Sequence, residues 1–454
     1  MMAVLHYLGT ITFSMGLLLL LPSLASVILD EYAVAPAFLL PALGCIITGF
    51  LLQKLVPKKE LDLRLAFIIS ALGWLLIALI GGTPYILASG VEFLDAYFEA
   101  MAGFTTTGIS VLTPSELPRS VIFWRSLTEW VGGVGIVVLF LAIFAPTNVA
   151  AKLYVAEARS ERLEPSMART ARKIFYIYSY LTLAAILALY LSGASVFEAV
   201  NHALTALSSG GFSPNDDSYM GVSPQVKLVT MLFMLLGGIS FALHQRWMEG
   251  QFRRFFSNIE VQAILVIVAI FSLLLYLDGV PAIDAAFTTI SALTTTGFTS
   301  IDVSSLSELS KYYLLLLLNI GGGYGSTAGG LKVIRFVIII KAIEWFIRKI
   351  TSPRRRVMPF KIQDKVFSEE EVFSTLLFAL LYLFFLTLGT FIFIFLGHDL
   401  MEALFMISSA QGNNGLVVLS EYNTIEKVVM IFHMWIGRLE IIPVLTLLTA
   451  LRRS

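Results

Sequence analysis

Cysteine occurs once in this chain, at Cys45, so no internal disulfide can form, and a thiol inside an apolar run reads as a small buried hydrophobe. The five histidines are scattered, no HExxH stands among them and no nucleophile–base pair recurs, which removes the common intramembrane enzymes. A GxxxxGK[ST] phosphate loop is missing as well. Charge is scarce: 14% of the 454 residues are charged against 57% hydrophobic, and 31 basic side chains balance 31 acidic ones. So few charges cannot cover a soluble surface, and a net charge of zero offers no field for nucleic acid. The chain therefore reads as an integral membrane protein, neither an enzyme nor a nucleic-acid binder.

What the sequence does have is long apolar runs. "YLTLAAILALYLS" and "ALLYLFFLTLGTFIFIFL" belong to segments of the roughly 20 apolar residues that cross about 30 Å of hydrocarbon as a helix. A porin-like barrel, built on strands of about 10 residues with weaker alternation, is thereby excluded. The first run, Leu5 to Ile28, lacks a basic flank and an A-x-A site, so it reads as a true span rather than a cleaved signal. Lysine and arginine collect in Lys54–Arg64, Lys152–Lys173, Arg246–Arg254 and Lys341–Lys365, and at Arg452 and Arg453. Acids collect between them, at Asp30/Glu31, Glu92–Glu99, Asp216/Asp217, Asp278–Asp302 and Asp399/Glu402. The positive-inside rule puts the basic clusters and both termini in the cytoplasm of a multi-pass protein of the cytoplasmic membrane.

One short polar motif recurs four times: "GFTTTGIS" (103–110), "LSSGGFSP" (207–214), "ALTTTGFTS" (292–300) and "QGNNGLVV" (411–418). Anchored on Gly108, Gly211, Gly297 and Gly415, each copy has an acid followed by alanine thirteen residues upstream: Asp95, Glu198, Asp284 and Glu402. Each unit reads as span, helix of about ten residues, polar loop, span. A helix that short at membrane depth is re-entrant, and its acid suits a helix N-terminus, as a cap facing unpaired amides. Irregular polar backbone is tolerated in a bilayer only where it is buried in protein or lines a water-filled path. Four such loops on one pseudo-fourfold axis would surround a point where carbonyl oxygens replace the hydration shell of a cation. Glycine permits the backbone conformation that aims those oxygens inward.

With these residues in place, the chain resembles the TrkH/KtrB family of potassium transporters over nearly its whole length. The likeness rests on the four loops and on "EWVGGVGIVVL" (129–139), "LLGGISFALHQR" (235–246), "GGGYGSTAGGLKVIRF" (321–336) and "GRLEIIPVL" (437–445). It implies an all-α membrane protein of four span–pore-helix–span repeats around a central pore, plus two extra N-terminal helices as in the TrkH branch. The segments are then 1–60 for the extra pair, and 61–150, 151–255, 256–365 and 366–454 for the four units. Carried over by position, the K+-binding filter is Thr106, Thr107 and Gly108; Ser209, Gly210 and Gly211; Thr295, Thr296 and Gly297; and Asn413, Asn414 and Gly415. The fourth loop departs furthest from the theme, which places potassium-over-sodium selectivity in question. The resemblance also implies a homodimer and a cytosolic TrkA/KtrA-type regulatory ring that binds NAD(H) or ATP, with no cofactor in this chain beyond K+ in the filter.

"GGGYGSTAGG" (321–330) holds six glycines in ten residues, and each costs about 1 kcal/mol in a helix interior, so a broken helix is expected there. Gly321, Gly322, Gly323, Gly325, Ser326, Thr327, Gly329 and Gly330 thus form an intramembrane loop, which the resemblance makes a gate beneath the filter. Arg438 lies in the last span, where a lone arginine costs about 2.5–3.5 kcal/mol and marks an ion path; facing the pore it would repel cations. The alternative is a salt bridge, to nearby Glu440 or to an acid of a neighbouring unit. Lys332 and Arg335 are candidates for snorkelling to the interface. The basic stretches Arg159–Lys173 and Arg348–Lys361 set topology and could also dock the regulatory ring. Potassium uptake leads among the functions, with a Na+- or H+-coupled K+ symporter or a less selective K+/Na+ transporter as the alternative. A symporter of inverted halves fits poorly, because all four units run in one orientation.

Overall fold

A computed structural model describes residues 2–57, 61–135, 167–352, 358–363 and 365–452. Residues 136–139 of the "EWVGGVGIVVL" motif, the basic stretches 152–166 and 353–357, and Arg453 lie outside the described residues.

Apolar helices dominate. α1 (Met2–Ile28) and α2 (Ala35–Leu55) form an antiparallel hairpin. Small residues set their spacing: a Cβ on Gly16 would meet the Ala42 carbonyl oxygen, and one on Gly49 the Phe13 backbone. The turn between them presents Glu31, whose carboxylate accepts from the amides of Arg119 (2.7 Å) and Ser120 (2.9 Å) at the start of a later helix. A negative group there satisfies two of the four amides a helix leaves unpaired.

Four units follow. The first is α3 (Leu63–Ser89), α4 (Phe93–Phe104) and α5 (Arg119–Val134); the second is α6 (Met167–Leu191), α7 (Val196–Ser208) and α8 (Pro224–Gly237), followed by α9 (Phe241–Met248) and the short α10 (Phe252–Phe256). The third is α11 (Ile259–Leu277), α12 (Ala282–Leu293) and α13 (Glu308–Ile320), continued by α14 (Val333–Thr351) and a two-stranded hairpin, β1 (Phe360–Ile362) and β2 (Lys365–Phe367). The fourth is α15 (Glu369–Phe395), α16 (Leu400–Gly412), α17 (Thr424–Arg438) and α18 (Ile442–Arg452). Six helices among the described residues are long and apolar enough to cross a membrane: α1, α2 and the first helix of each unit. Leu183 and Leu187 on α6, Leu273 on α11 and Phe384 and Phe391 on α15 are exposed, as side chains facing lipid would be. Cys45 on α2 is only partly covered, so it is not the buried hydrophobe expected.

One helix break was expected; the second, third and fourth units each have one, and in the first the helix ends at Gly135, where the described residues stop. The helix after each polar loop runs only 16, 14, 13 and 15 residues, about 20–24 Å at 1.5 Å per residue, which is short of the bilayer. α5 stops at Gly135, α8 and α9 meet at 106°, α13 gives way to the glycine-rich segment, and α17 and α18 meet at 111°. Thirteen positions after the first residue of each of these helices the sequence places a glycine: Gly132, Gly237, Gly321 (just past the end of α13) and Gly437. In three of the four it allows close approach, because a Cβ on Gly132, Gly237 or Gly437 would strike the carbonyl of Phe104, Leu207 or Gln411 in the last turn of the short helix.

Candidate cation pathway

The four short helices, α4, α7, α12 and α16, are 12 or 13 residues long, and each carries its acid at the third helical position. The capping expected of these acids holds in two units only. Glu198 closes a box with Ser195 (Ser195 amide to Glu198 Oε2, 3.0 Å), and Glu402 does so with Asp399. Asp95 and Asp284 instead pair with lysines of the preceding unit around the ring, Lys427 on α17 and Lys227 on α8 (2.9 Å). The pseudo-fourfold arrangement thus alternates, with ion pairs in the first and third units and self-capping in the second and fourth.

At their other ends the short helices stop identically. Thr106, Ser209, Thr295 and Asn413 all take left-handed φ values of 52–57°. The next amide in each, on Thr107, Gly210, Thr296 and Asn414, donates back to the carbonyl of Ala102, Thr205, Ser291 or Ser409 at 2.8–2.9 Å. This is the helix-terminating turn that usually employs glycine, occupied here by small polar residues. Their carbonyl ends face the loop, where the helix dipole is negative.

The loops meet one another in a closed ring. A Cβ on Gly108 would strike the Gly210 carbonyl oxygen, and one on Gly211 the Thr296 oxygen. One on Gly297 would strike the Gly415 backbone, and one on Gly415 would lie 3.2 Å from the Thr107 oxygen. Gly108, Gly211 and Gly297 have φ of 72°, 94° and 85°, so a side chain is excluded there by conformation as well as by space. Gly415 does not share the positive φ, which makes the fourth loop different in backbone as well as in sequence. Thr105, Thr106, Thr107, Ser209, Thr295, Thr296, Asn413 and Asn414 are all buried.

Gly321–Gly330 is non-helical, as expected, and the irregular segment extends to Lys332. It docks on the left-handed residues of the loops. Thr327, fully buried, shares a 2.8 Å hydrogen bond with Ser209 and donates to the carbonyls of Gly237 (2.9 Å) and Leu207 (3.0 Å). The Gly329 amide donates to Thr295 Oγ1 (2.7 Å), and the Gly323 amide to the Gly238 carbonyl (2.8 Å). Gly321 and Gly330 pack backbone to backbone, a Cβ on Gly322 would crowd Ala328, Gly325 accepts from the Phe241 amide, and Ser326 donates to the Gly323 carbonyl (2.6 Å). Glu260 at the start of α11 accepts from the Tyr324 amide (2.7 Å).

Arg438 bonds to the same surface. Its Nη1 donates to Thr106 Oγ1 and to the Thr327 carbonyl, both at 3.1 Å, and its Nη2 donates to the Gly132 carbonyl. Trp74, Ser326, Gly329, Asn413, Arg438 and Glu440 line a cavity of about 50 Å3 beside it, which has room for water. The alternative of an Arg438–Glu440 salt bridge fails, because Glu440 pairs with Arg335. Arg335 therefore does not snorkel; it lies over the Phe378 ring (4.1 Å) within a largely covered ion pair. Lys332 turns back to the Ala328 carbonyl.

Sequence reasoning passed over two buried charged groups. Arg125 donates to Glu99 (2.8 Å), to Ser110 (2.9 Å) and to the Ser213 carbonyl (3.3 Å), tying the first two loops together. Glu129, fully buried, accepts from the Phe212 amide at 3.1 Å. The available signal was an ionisable residue inside an apolar helix, which marks function by default.

The TrkH family, described as a cation transport protein, matches residues 42–277 and 272–453. An uncharacterized cation transporter of Methanocaldococcus jannaschii is 38% identical across 99% of this chain and 95% of its own length. The Trk system potassium uptake protein TrkH of Escherichia coli K12 is 31% identical, covering 86% of each chain. The crystal structure of the potassium transporter TrkH from Vibrio parahaemolyticus superposes with a TM-score of 0.86 at 27% identity, covering 98% of both chains.

Proposed function

The chain belongs to the TrkH family of cation transport proteins, and from that premise we propose that it takes up potassium across the cytoplasmic membrane. The four loops act as the filter, the segment Gly321–Gly330 with Arg438 acts as the gate, and both termini face the cytoplasm. One observation carries the reading: four glycine-centred turns touch in sequence around a closed ring, each at the carbonyl end of a buried short helix. That arrangement supplies backbone oxygens to a cation stripped of water and excludes side chains from the ring.

The gate reading is supported by where the glycine-rich segment binds. Ser209 and Thr295 hold it directly, and Arg438 ties it to Thr106. A positive charge at that junction raises the energy of a cation leaving the loops, and moving the segment aside would break these bonds together. Uptake needs no chemistry in this chain, because the membrane potential contributes about 2.3 kcal/mol per charge per 100 mV. The helix α14, which leaves the gate and carries Lys341, Arg348 and Lys349, is a fitting lever for a cytosolic regulatory ring of the TrkA/KtrA kind holding NAD(H) or ATP. The transporter itself works as a homodimer.

Purified protein in liposomes, given K+, Rb+ or Na+ with and without the regulatory subunit, tests the reading. Faster K+ and Rb+ entry than Na+, increased by the subunit, is the expected result. Equal entry of all three would overturn it.

A further inference from the structure

The four loops are braced by three different devices, and one of them comes from outside the loop. In the first and third loops the residue before the glycine is threonine, and its hydroxyl bonds to the threonine two residues earlier: Thr107 to Thr105 (2.7 Å) and Thr296 to Thr294 (2.8 Å). In the fourth loop that position is Asn414, whose Oδ1 accepts from the Leu416 amide on the far side of the glycine (3.0 Å). In the second loop the position is Gly210, which has no side chain to offer. There the corresponding amide, Phe212, donates to Glu129 instead, at 3.1 Å.

Glu129 also occupies the room that a side chain at 210 would need. A Cβ on Gly210 would run into its carboxylate and would lie 2.8 Å from its Cβ. The equivalent residues of the other post-loop helices, ten positions in from each start, are Met234, Leu318 and Met434, all buried and none with a side-chain oxygen to accept a hydrogen bond. The acid at this position, in the first unit, faces the missing side chain in the loop of the second, and each makes up for the other. A fully buried carboxylate is costly to retain unless it is satisfied, and the Phe212 amide is its partner on the loop.

We propose that Glu129 is a positioning residue that sets cation selectivity: it holds the second loop in trans, as Asn414 holds the fourth in cis. The proposal rests on the filter reading given above. What matters is the acceptor oxygen at that place. Without it the Phe212 amide is orphaned, and the Ser209–Gly211 turn, the loop richest in glycine, loses its anchor beside the ring.

The test is K+ against Na+ entry into liposomes for the full chain and for four variants. Glu129→Gln keeps an acceptor oxygen and is expected to discriminate within about twofold of the unaltered protein. Glu129→Met, which makes the position like those of the second and fourth units, is expected to reduce the K+/Na+ ratio about tenfold while total flux persists. Gly210→Asn on the Glu129→Gly background, which also removes the Cβ that a side chain at 210 would meet, transplants the fourth loop's solution and should restore the ratio that Glu129→Gly alone loses. Unchanged discrimination in Glu129→Met, or no recovery in the double variant, would overturn the proposal. If Glu129→Gly does not yield folded protein, the Gln and Met pair decides. Failure of the filter reading is separate, because it shows in the unaltered protein as equal K+ and Na+ entry.

Discussion

Arg335 and Glu440, 105 residues apart, form a largely covered ion pair that fastens α14 to the bend between α17 and α18. Glu440 stands in that bend with a left-handed φ of 53°, and Ile441 follows at 69°. A β-branched residue in that region is strained, so the surrounding contacts must hold it there.

Removing one partner leaves the other charge uncompensated. Arg335→Ala or Glu440→Ala is expected to cost about 3 kcal/mol in unfolding free energy and to raise K+ flux in the absence of a regulator. Arg335→Leu combined with Glu440→Leu should recover most of the stability, because replacing both charges removes the desolvation cost. Thermal unfolding in detergent, with flux into liposomes, measures both.

Arg438→Ala removes a positive charge and, among the described residues, three hydrogen bonds that join the first unit, the glycine-rich segment and the last unit. Cation entry should rise about tenfold, since a charge of the ion's own sign no longer faces the path. Arg438→Lys should fall between the two, because an ammonium keeps the charge but lacks the planar fork that spans three acceptors. Flux equal to that of the unaltered protein would remove Arg438 from the gate.

The glycines of the ring are not equivalent. Gly297→Ser, or Gly297→Ala, must force a side chain into a φ of 85° and against the Gly415 backbone, and it should erode K+/Na+ discrimination at least tenfold. Gly415→Ala meets nothing closer than 3.2 Å and needs no left-handed conformation, so its effect should be several-fold smaller. Ion-competition uptake assays on the two alanine variants give the order.

Outside the bilayer, Asp278 at the end of α11 accepts from Ser307 and Ser310 at the start of α13, and these hydroxyls hold its carboxyl below the ordinary 3.8. Because the folded-state value is depressed, the contribution to stability is complete above about pH 4 and is lost as pH falls through the lowered value. Ser307→Ala with Ser310→Ala should therefore lower thermal stability across the neutral region, where the contribution is complete, and converge on the unaltered protein at the acid end of the profile.

The repeat itself was legible because it is local chemistry: a glycine at a fixed distance after an acid, with small polar residues between, reads the same in each copy. The break at 321–330 was legible for a related reason, since six glycines cannot be hidden in one helix. The bends in the second and fourth units were not, because a single glycine in "MWIGRLE" is compatible with a straight span until another helix end presses against it. Asp95 and Asp284 looked like caps for the same reason; their lysines lie 332 and 57 residues away.

Composition, apolar length and the spacing of the four glycines by themselves determined a helical membrane protein with four polar re-entrant turns, because helix length and backbone freedom are properties of neighbouring residues. Only the tertiary structure decided that the turns form one ring, that Ser209 and Thr295 hold the glycine-rich segment while Thr106 holds Arg438, and that Glu129 fills the space beside Gly210. Those relations join residues from different units, and which buried donor finds which acceptor is fixed only when the helices pack.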